Sequence, residues 1–331
     1  MFEPSSVPLR RLVWIALALS LGAAVSLGIT RFAYGLLLPV MREDLDWGYT
    51  LAGAMNTANA GGYLLGALAT PWLMRRFGAA RVLLAGAVLA SGFMAASGFF
   101  TAAGPLLLQR LLAGVASAFV FVAGGLLAAR LGAQAPQHAG LLLGLYYGGT
   151  GWGISASALA VPGLLRAAAD VPHGWSWAWW GLALLCLLAT LVLWWPASIL
   201  QKSELLAHTG QAPAAHLIHE PLPWRRMMPA LAGYTLFGVG YIGYMTFVIA
   251  LLREQGVAPA AITLFYALLG LAVVASARIW AGLLNRAKGG GALALLNALL
   301  GVATILPALT RAWPLVLTSG LLFGAVFLSV V

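Results

Sequence analysis

Apolar residues run along this chain in blocks of about 20 or more, the length an α-helix needs to cross roughly 30 Å of hydrocarbon. Short stretches holding the charges separate the blocks. The pattern predicts ten membrane spans, at 12–40, 51–73, 80–100, 105–131, 139–165, 174–196, 226–252, 259–284, 290–309 and 313–331. No run alternates with a period of two, as the strands of a membrane barrel would. Composition agrees with a chain dissolved in lipid: 62% of the 331 residues are hydrophobic and 8% are charged, with a mean hydropathy of +0.94. The 40 glycines support this reading, because small residues let membrane helices approach closely. The expected fold class is an all-α polytopic membrane protein.

The cationic residues orient the spans. Arg10, Arg11, Arg75, Arg76, Arg81, Arg130, Lys202, Arg225, Arg226, Arg286 and Lys288 fall on the side of the N-terminus, against Arg42, Arg166, Arg253 and Arg311 opposite. Cytoplasmic loops are the ones enriched in Lys and Arg, so the N-terminus is expected to be cytoplasmic, in a plasma (bacterial inner) membrane. The net charge of +10 is spread over these short loops without a basic domain, which argues against nucleic acid as a partner. The first apolar run is too long for a cleaved signal peptide and reads as a retained helix. A single cysteine, Cys186, excludes an intrachain disulfide and a multi-cysteine metal site, and "HLIHE" at 216–220 matches no strong zinc spacing. No cofactor and no metal are expected.

An internal repeat organises the chain. An offset of 210 residues carries Gly28 onto Gly238, Tyr34 onto Tyr244, Arg31 onto Tyr241 and Arg76 onto Arg286. It pairs span one with seven, two with eight and four with ten, so the repeating unit is six helices. The longest polar connection falls between spans six and seven. The expected domains are a six-helix bundle over 1–197, a cytoplasmic linker over 198–224 and a partial second bundle over 225–331. A ten-helix drug/metabolite-type carrier with two five-helix repeats is the rival, and it would place the break near Asp170 instead.

These residues resemble the major facilitator superfamily, and within it the YbfB/YjiJ-like branch. "ITRFAYGLLLPVMREDLDWGYTLAGAMNTANAGGYLLGAL", 29–68, looks like the first two helices of that branch. "LMRRFGAARVL" resembles the superfamily's motif after helix two, with Arg76 and Gly78 in place but Arg75 where most members carry Asp. "RLLAG" from Arg110 resembles the helix-four motif, and "GLYYGGTGWG" a helix-five glycine motif without its proline. "LLNRAKGGGALALL" looks like the second-half counterpart of the loop motif, with Asn285 and Arg286. The resemblance implies six plus six helices, of which about ten are present. On the repeat logic a full second half would end about 75 residues further on. A carboxylate at Val331 in or near hydrocarbon agrees with a fragment or truncated product.

Candidate chemistry lies in polar residues on helix faces, since a polar group facing lipid is costly. Helix two offers Asn56, Asn59 and Tyr63 on one face, as a substrate-reading stripe or as interhelical hydrogen bonds. Helix seven carries Tyr234, Phe237, Tyr241 and Tyr244 on one face, and helix five adds Tyr146, Tyr147 and Thr150. Arg31 and Arg110 stand within or at the edge of spans, where each either enters a cavity or snorkels to the headgroups, and Arg278 reads as snorkelling. The candidate cavity is therefore Arg31, Tyr34, Asn56, Asn59, Tyr63, Arg110, Tyr147, Tyr241 and Tyr244, with Arg76, Gly78, Asn285 and Arg286 in gating loops.

The acids fall in loops or tails, so an embedded proton carrier is missing from the spans and proton coupling stays open. Without Asp, Glu or His inside a span, an intramembrane enzyme lacks its base, and no catalytic residue is expected. The function these features point to is a secondary transporter of a small organic solute working by alternating access, as a monomer in the lipid bilayer. Unpaired arginines would favour an anion. A non-transporting receptor or scaffold on the same fold is the alternative.

Overall fold

The computed structural model describes residues 8–209, 224–286 and 290–330, all of it helix and short connection. Ten rods follow in order: α1 Leu9–Asp44, α2 Tyr49–Phe77, α3 Ala79–Ser97, α4 Ala103–Ala133, α5 Ala139–Ala167, α6 Trp175–Thr209, α7 Trp224–Glu254, α8 Pro259–Arg286, α9 Gly291–Leu309 and α10 Trp313–Val330. Each predicted span has its rod. Eight of them are long and apolar enough to cross a membrane on length and composition alone. The other two, α2 and α5, are diluted by the residues that make them useful inside a bundle: glycines, Asn56 and Asn59 in α2, and "GGTGWG" in α5.

Two boundaries differ from expectation. Helix α6 continues to Thr209, through the start of the stretch read as a linker. Glu43, Asp44 and Glu254, read as loop residues, sit in the last turns of α1 and α7, which overrun the apolar blocks. A rod of 36 residues such as α1 is about 54 Å long at about 1.5 Å per residue, well beyond the hydrocarbon, so its ends carry charges without cost.

Helix α1 is not uniform. It is α-helical over Leu9–Ala23, π-helical over Ala24–Arg31 and α-helical again over Tyr34–Asp44. A hydrogen bond from Phe32 N to the Leu27 carbonyl, 3.1 Å, closes the wider turn, and the Thr30 hydroxyl donates to the Val25 carbonyl at 2.6 Å. The wide turn abuts α5 where both chains lack a Cβ: one built on Gly28 would lie 2.7 Å from the Gly153 Cα. Such π turns shift the register of everything beyond them, which is why they recur at functional sites. Arg31 is the last residue of this one.

The sequence repeat sets α1–α6 against α7–α10, and packing runs both within these two groups and between them. Among α1–α6 the closest pairs are α2 with α4, α3 with α4, α3 with α6 and α1 with α5; in the second group α10 packs on α8 and α9. In the α2–α4 pair Gly62 faces the Leu111 carbonyl and Gly114 the Asn59 carbonyl, so the two backbones touch. Between the groups, α5 lies along α8, with the Ser155 hydroxyl donating to the Ala267 carbonyl at 2.9 Å. The ends of α1 and the start of α2 close against α7.

Candidate functional site

The centre of the molecule is built from the middle of α1, α2, α4 and α7. Arg31 is 4% exposed, so the headgroup reading of this residue gives way to a buried one. Its guanidinium carbon lies 5.5 Å from the Tyr63 ring centroid and 5.4 Å from that of Tyr241. One ring comes from each group of helices. The repeat had set Tyr241 opposite Arg31, and the two meet across the seam. Tyr241 is backed by Phe237 and Phe327, each 5.0 Å away between ring centres, and Tyr63 by Phe121 at 6.4 Å. Tyr147 joins the same aromatic wall through Phe121, at 5.3 Å. Arg31 Nε has no hydrogen-bond partner in the protein.

Arg110 is 1% exposed and is held entirely by groups of the first six helices. Its Nη1 donates to the Thr30 carbonyl at 2.7 Å and its Nη2 to Asn56 Oδ1 at 3.5 Å. The rings of Tyr34 and Trp179 lie 5.2 and 5.4 Å from its guanidinium carbon. Through Thr30 it fixes the peptide that precedes Arg31.

The two asparagines of α2 are tied into the fold. Asn56 Nδ2 donates to the Thr246 hydroxyl of α7 at 2.6 Å, across the seam, and Asn59 Nδ2 to the Arg110 carbonyl at 3.1 Å. Tyr34 is fully buried, with its hydroxyl donating to the Ala52 carbonyl at 2.7 Å. Tyr244 points away from Arg31: it stacks on Phe323 at 4.3 Å and shares a hydrogen bond with Ser319 of α10. The stripe on α7 thus splits, Tyr241 toward the centre and Tyr244 into its own bundle.

The seam is shut on the side of the 44–49 and 254–259 connections. The Tyr49 hydroxyl donates to Glu254, Arg42 lies 4.4 Å from the Tyr49 ring centroid, and Asn56 meets Thr246 one layer deeper. Tyr63, Tyr147 and Tyr241 are half-buried, whereas Asn56 and Arg31 are buried. At the same rim as Glu254, Asp44 Oδ2 accepts hydrogen bonds from His173 Nδ1 at 2.6 Å and Trp175 Nε1 at 2.5 Å, tying α1 to α6.

The loop residues lie far from the centre. Gly78 has φ 85°, a conformation that suits glycine and turns α2 sharply into α3. Arg76 is exposed and packs its guanidinium near the Trp72 and Phe77 rings. Arg286 is exposed at the end of α8, and Arg278 is exposed two turns before it. The Asn285 side chain and the "HLIHE" segment lie outside the described residues. Among the described residues no group of three or more His, Cys, Asp or Glu side chains is placed to hold a metal ion. Sequence reasoning missed Thr30, Trp179 and Thr246, small or apolar partners that only the packing brings to the arginines.

No curated protein matches the sequence. Solved structures match its fold: a D-xylose-proton symporter, with 16% identity and a TM-score of 0.65 over 96% of this chain and 80% of that one. A partially occluded inward-open xylose transporter XylE from E. coli gives 14% identity and 0.62 over 96% and 84%. The proton:xylose symporter XylE bound to 6-bromo-6-deoxy-D-glucose gives 15% and 0.66 over 97% and 80%. A family model described as "Uncharacterised MFS-type transporter YbfB" matches residues 23–331. With that match spanning nearly the whole chain, the protein belongs to the YbfB-type family of the major facilitator superfamily.

Proposed function

We propose that the protein is a secondary carrier that moves a small organic anion by alternating access, the two groups of helices rocking about the centre at Arg31. The observation that carries this reading is one buried arginine set between Tyr63 of the first group and Tyr241 of the second. A solute held there touches both halves, so its binding energy differs between the two rocked states, which is what moves a conformational equilibrium. The seam contacts Tyr49–Glu254 and Asn56–Thr246 are of the kind that must break when the other side opens. The charge bias of the loops supports a cytoplasmic N-terminus in the inner membrane.

Protons are the candidate coupling ion, through acids at the closed rim, of which Glu254 bridges the two groups. Two of the solved neighbours are named as proton symporters, and coupling here is a proposal on that analogy.

The test is uptake into liposomes holding the purified protein, offered a mixture of small organic acids and read by mass spectrometry of the lumen. The expected result is accumulation of at least one acid with the native protein and none with Arg31→Ala at equal incorporation. Equal accumulation by both proteins refutes the assignment.

A further inference from the structure

Arg31 is buried without an anion of its own. Among the described residues no carboxylate bonds to Arg31 or Arg110, and the two guanidiniums lie within electrostatic reach of each other. Uncompensated buried cations are costly, and the cost falls when a ligand brings the missing negative charge. The groups around Arg31 decide what kind of anion. A guanidinium is planar, its N–H groups form a fork that matches two coplanar oxygens, and here Nε has no partner in the protein. The walls beside it are the Tyr63 and Tyr241 rings, with Phe121 behind Tyr63 and Tyr147 next to Phe121. Aromatic walls welcome a flat π-system in offset or edge-to-face contact, and they offer little to the hydration shell of a dianion.

The amide donors of Asn56 and Asn59 are spent on Thr246 and on the Arg110 carbonyl, so the groups a solute meets beside Arg31 are the guanidinium fork and the faces and hydroxyls of the tyrosine rings. Resting on the carrier reading above, we propose that the solute taken at Arg31 is a planar aromatic monocarboxylate, its carboxylate on the guanidinium fork and its ring against Tyr63 and Tyr241. This sets the protein apart in solute class from the sugar symporters whose fold it shares.

Equilibrium binding of radiolabelled benzoate to the full chain in lipid nanodiscs tests the proposal independently of transport. Benzoate is expected to bind saturably, with benzamide, acetate and D-xylose each competing at least tenfold more weakly, and cyclohexanecarboxylate several-fold more weakly. Arg31→Met is expected to abolish binding. Arg31→Lys, which keeps the charge but loses the fork, and Tyr241→Leu, which keeps the fork but loses a wall, are each expected to weaken it about tenfold. Variants are scored only where thermal unfolding matches the native protein, and Arg31→Lys stands in if Arg31→Met does not fold. The proposal is overturned by no saturable binding, by xylose or acetate competing as well as benzoate, or by binding that survives both Arg31 variants. Solute counterflow on the same preparations separates the two readings. Counterflow of another solute without benzoate binding overturns the solute class alone, and benzoate binding without counterflow of any acid overturns the carrier reading alone.

Discussion

The hydrogen bond from Asn56 to Thr246 joins α2 to α7 at 2.6 Å on the closed side of the seam, and opening that side must break it. Asn56→Leu removes it at similar volume. The Thr246 hydroxyl keeps its own bond to the Ile242 carbonyl, so no orphan is left on α7. The contact of Asn56 with Arg110 lies within the first six helices, so under rigid-body rocking its loss cancels from the difference between the two states. What remains is one side-chain hydrogen bond between membrane helices, about 0.6 kcal/mol on average and up to about 1.7 kcal/mol. That is a roughly three- to twentyfold shift of the closed-to-open ratio toward opening. Nitroxides at Thr50→Cys and Ala260→Cys, exposed on opposite sides of the seam, report the ratio by pulsed electron resonance, since the native Cys186 is buried and does not label. The longer distance should gain population in Asn56→Leu and equally in Thr246→Val, with no further gain in the double variant. Additive shifts from the two changes, or none, refute the idea that this bond latches the seam.

Other outcomes follow from the same structure. Gly62→Val places a side chain against the Leu111 carbonyl, an overpacking of about 1–3 kcal/mol that should lower the thermal midpoint and the monodisperse yield after extraction. Gly78→Val forces a β-branched residue to φ 85°, at a cost of about 1–3 kcal/mol, and should lower the midpoint without changing ligand affinity, as measured on the folded fraction. Arg110→Met leaves the Thr30 carbonyl without its donor, a loss of about 1–3 kcal/mol, and should weaken binding at Arg31. Binding at full strength in a folded Arg110→Met protein contradicts a role for Arg110 through Thr30.

The rods were legible because hydrophobic length is a one-dimensional property. Ten blocks gave ten helices, and errors came only at ends such as Ala197–Thr209, where a helix runs past its apolar stretch into water. The π turn over Ala24–Arg31 was not legible, because it depends on how Gly28 meets Gly153 in a helix more than 100 residues away. Arg31 and Tyr241 were brought together by the repeat, which encodes a symmetry axis in the sequence offset itself. Periodicity alone served less well. It grouped Tyr244 with Tyr241, yet one turn along α7 is enough to carry a ring from the seam into the interface with Ser319 and Phe323. Asn56 and Asn59 also share a face, and their roles diverge because Thr246 lies opposite one and the Arg110 carbonyl opposite the other.

Counterflow of radiolabelled benzoate into liposomes preloaded with unlabelled benzoate tests the central claim most directly, with the native protein beside Arg31→Met at matched incorporation. The account predicts a transient overshoot of label with the native protein and its loss in the variant. An overshoot of equal height in both would contradict the assignment of Arg31 as the group that holds the travelling solute.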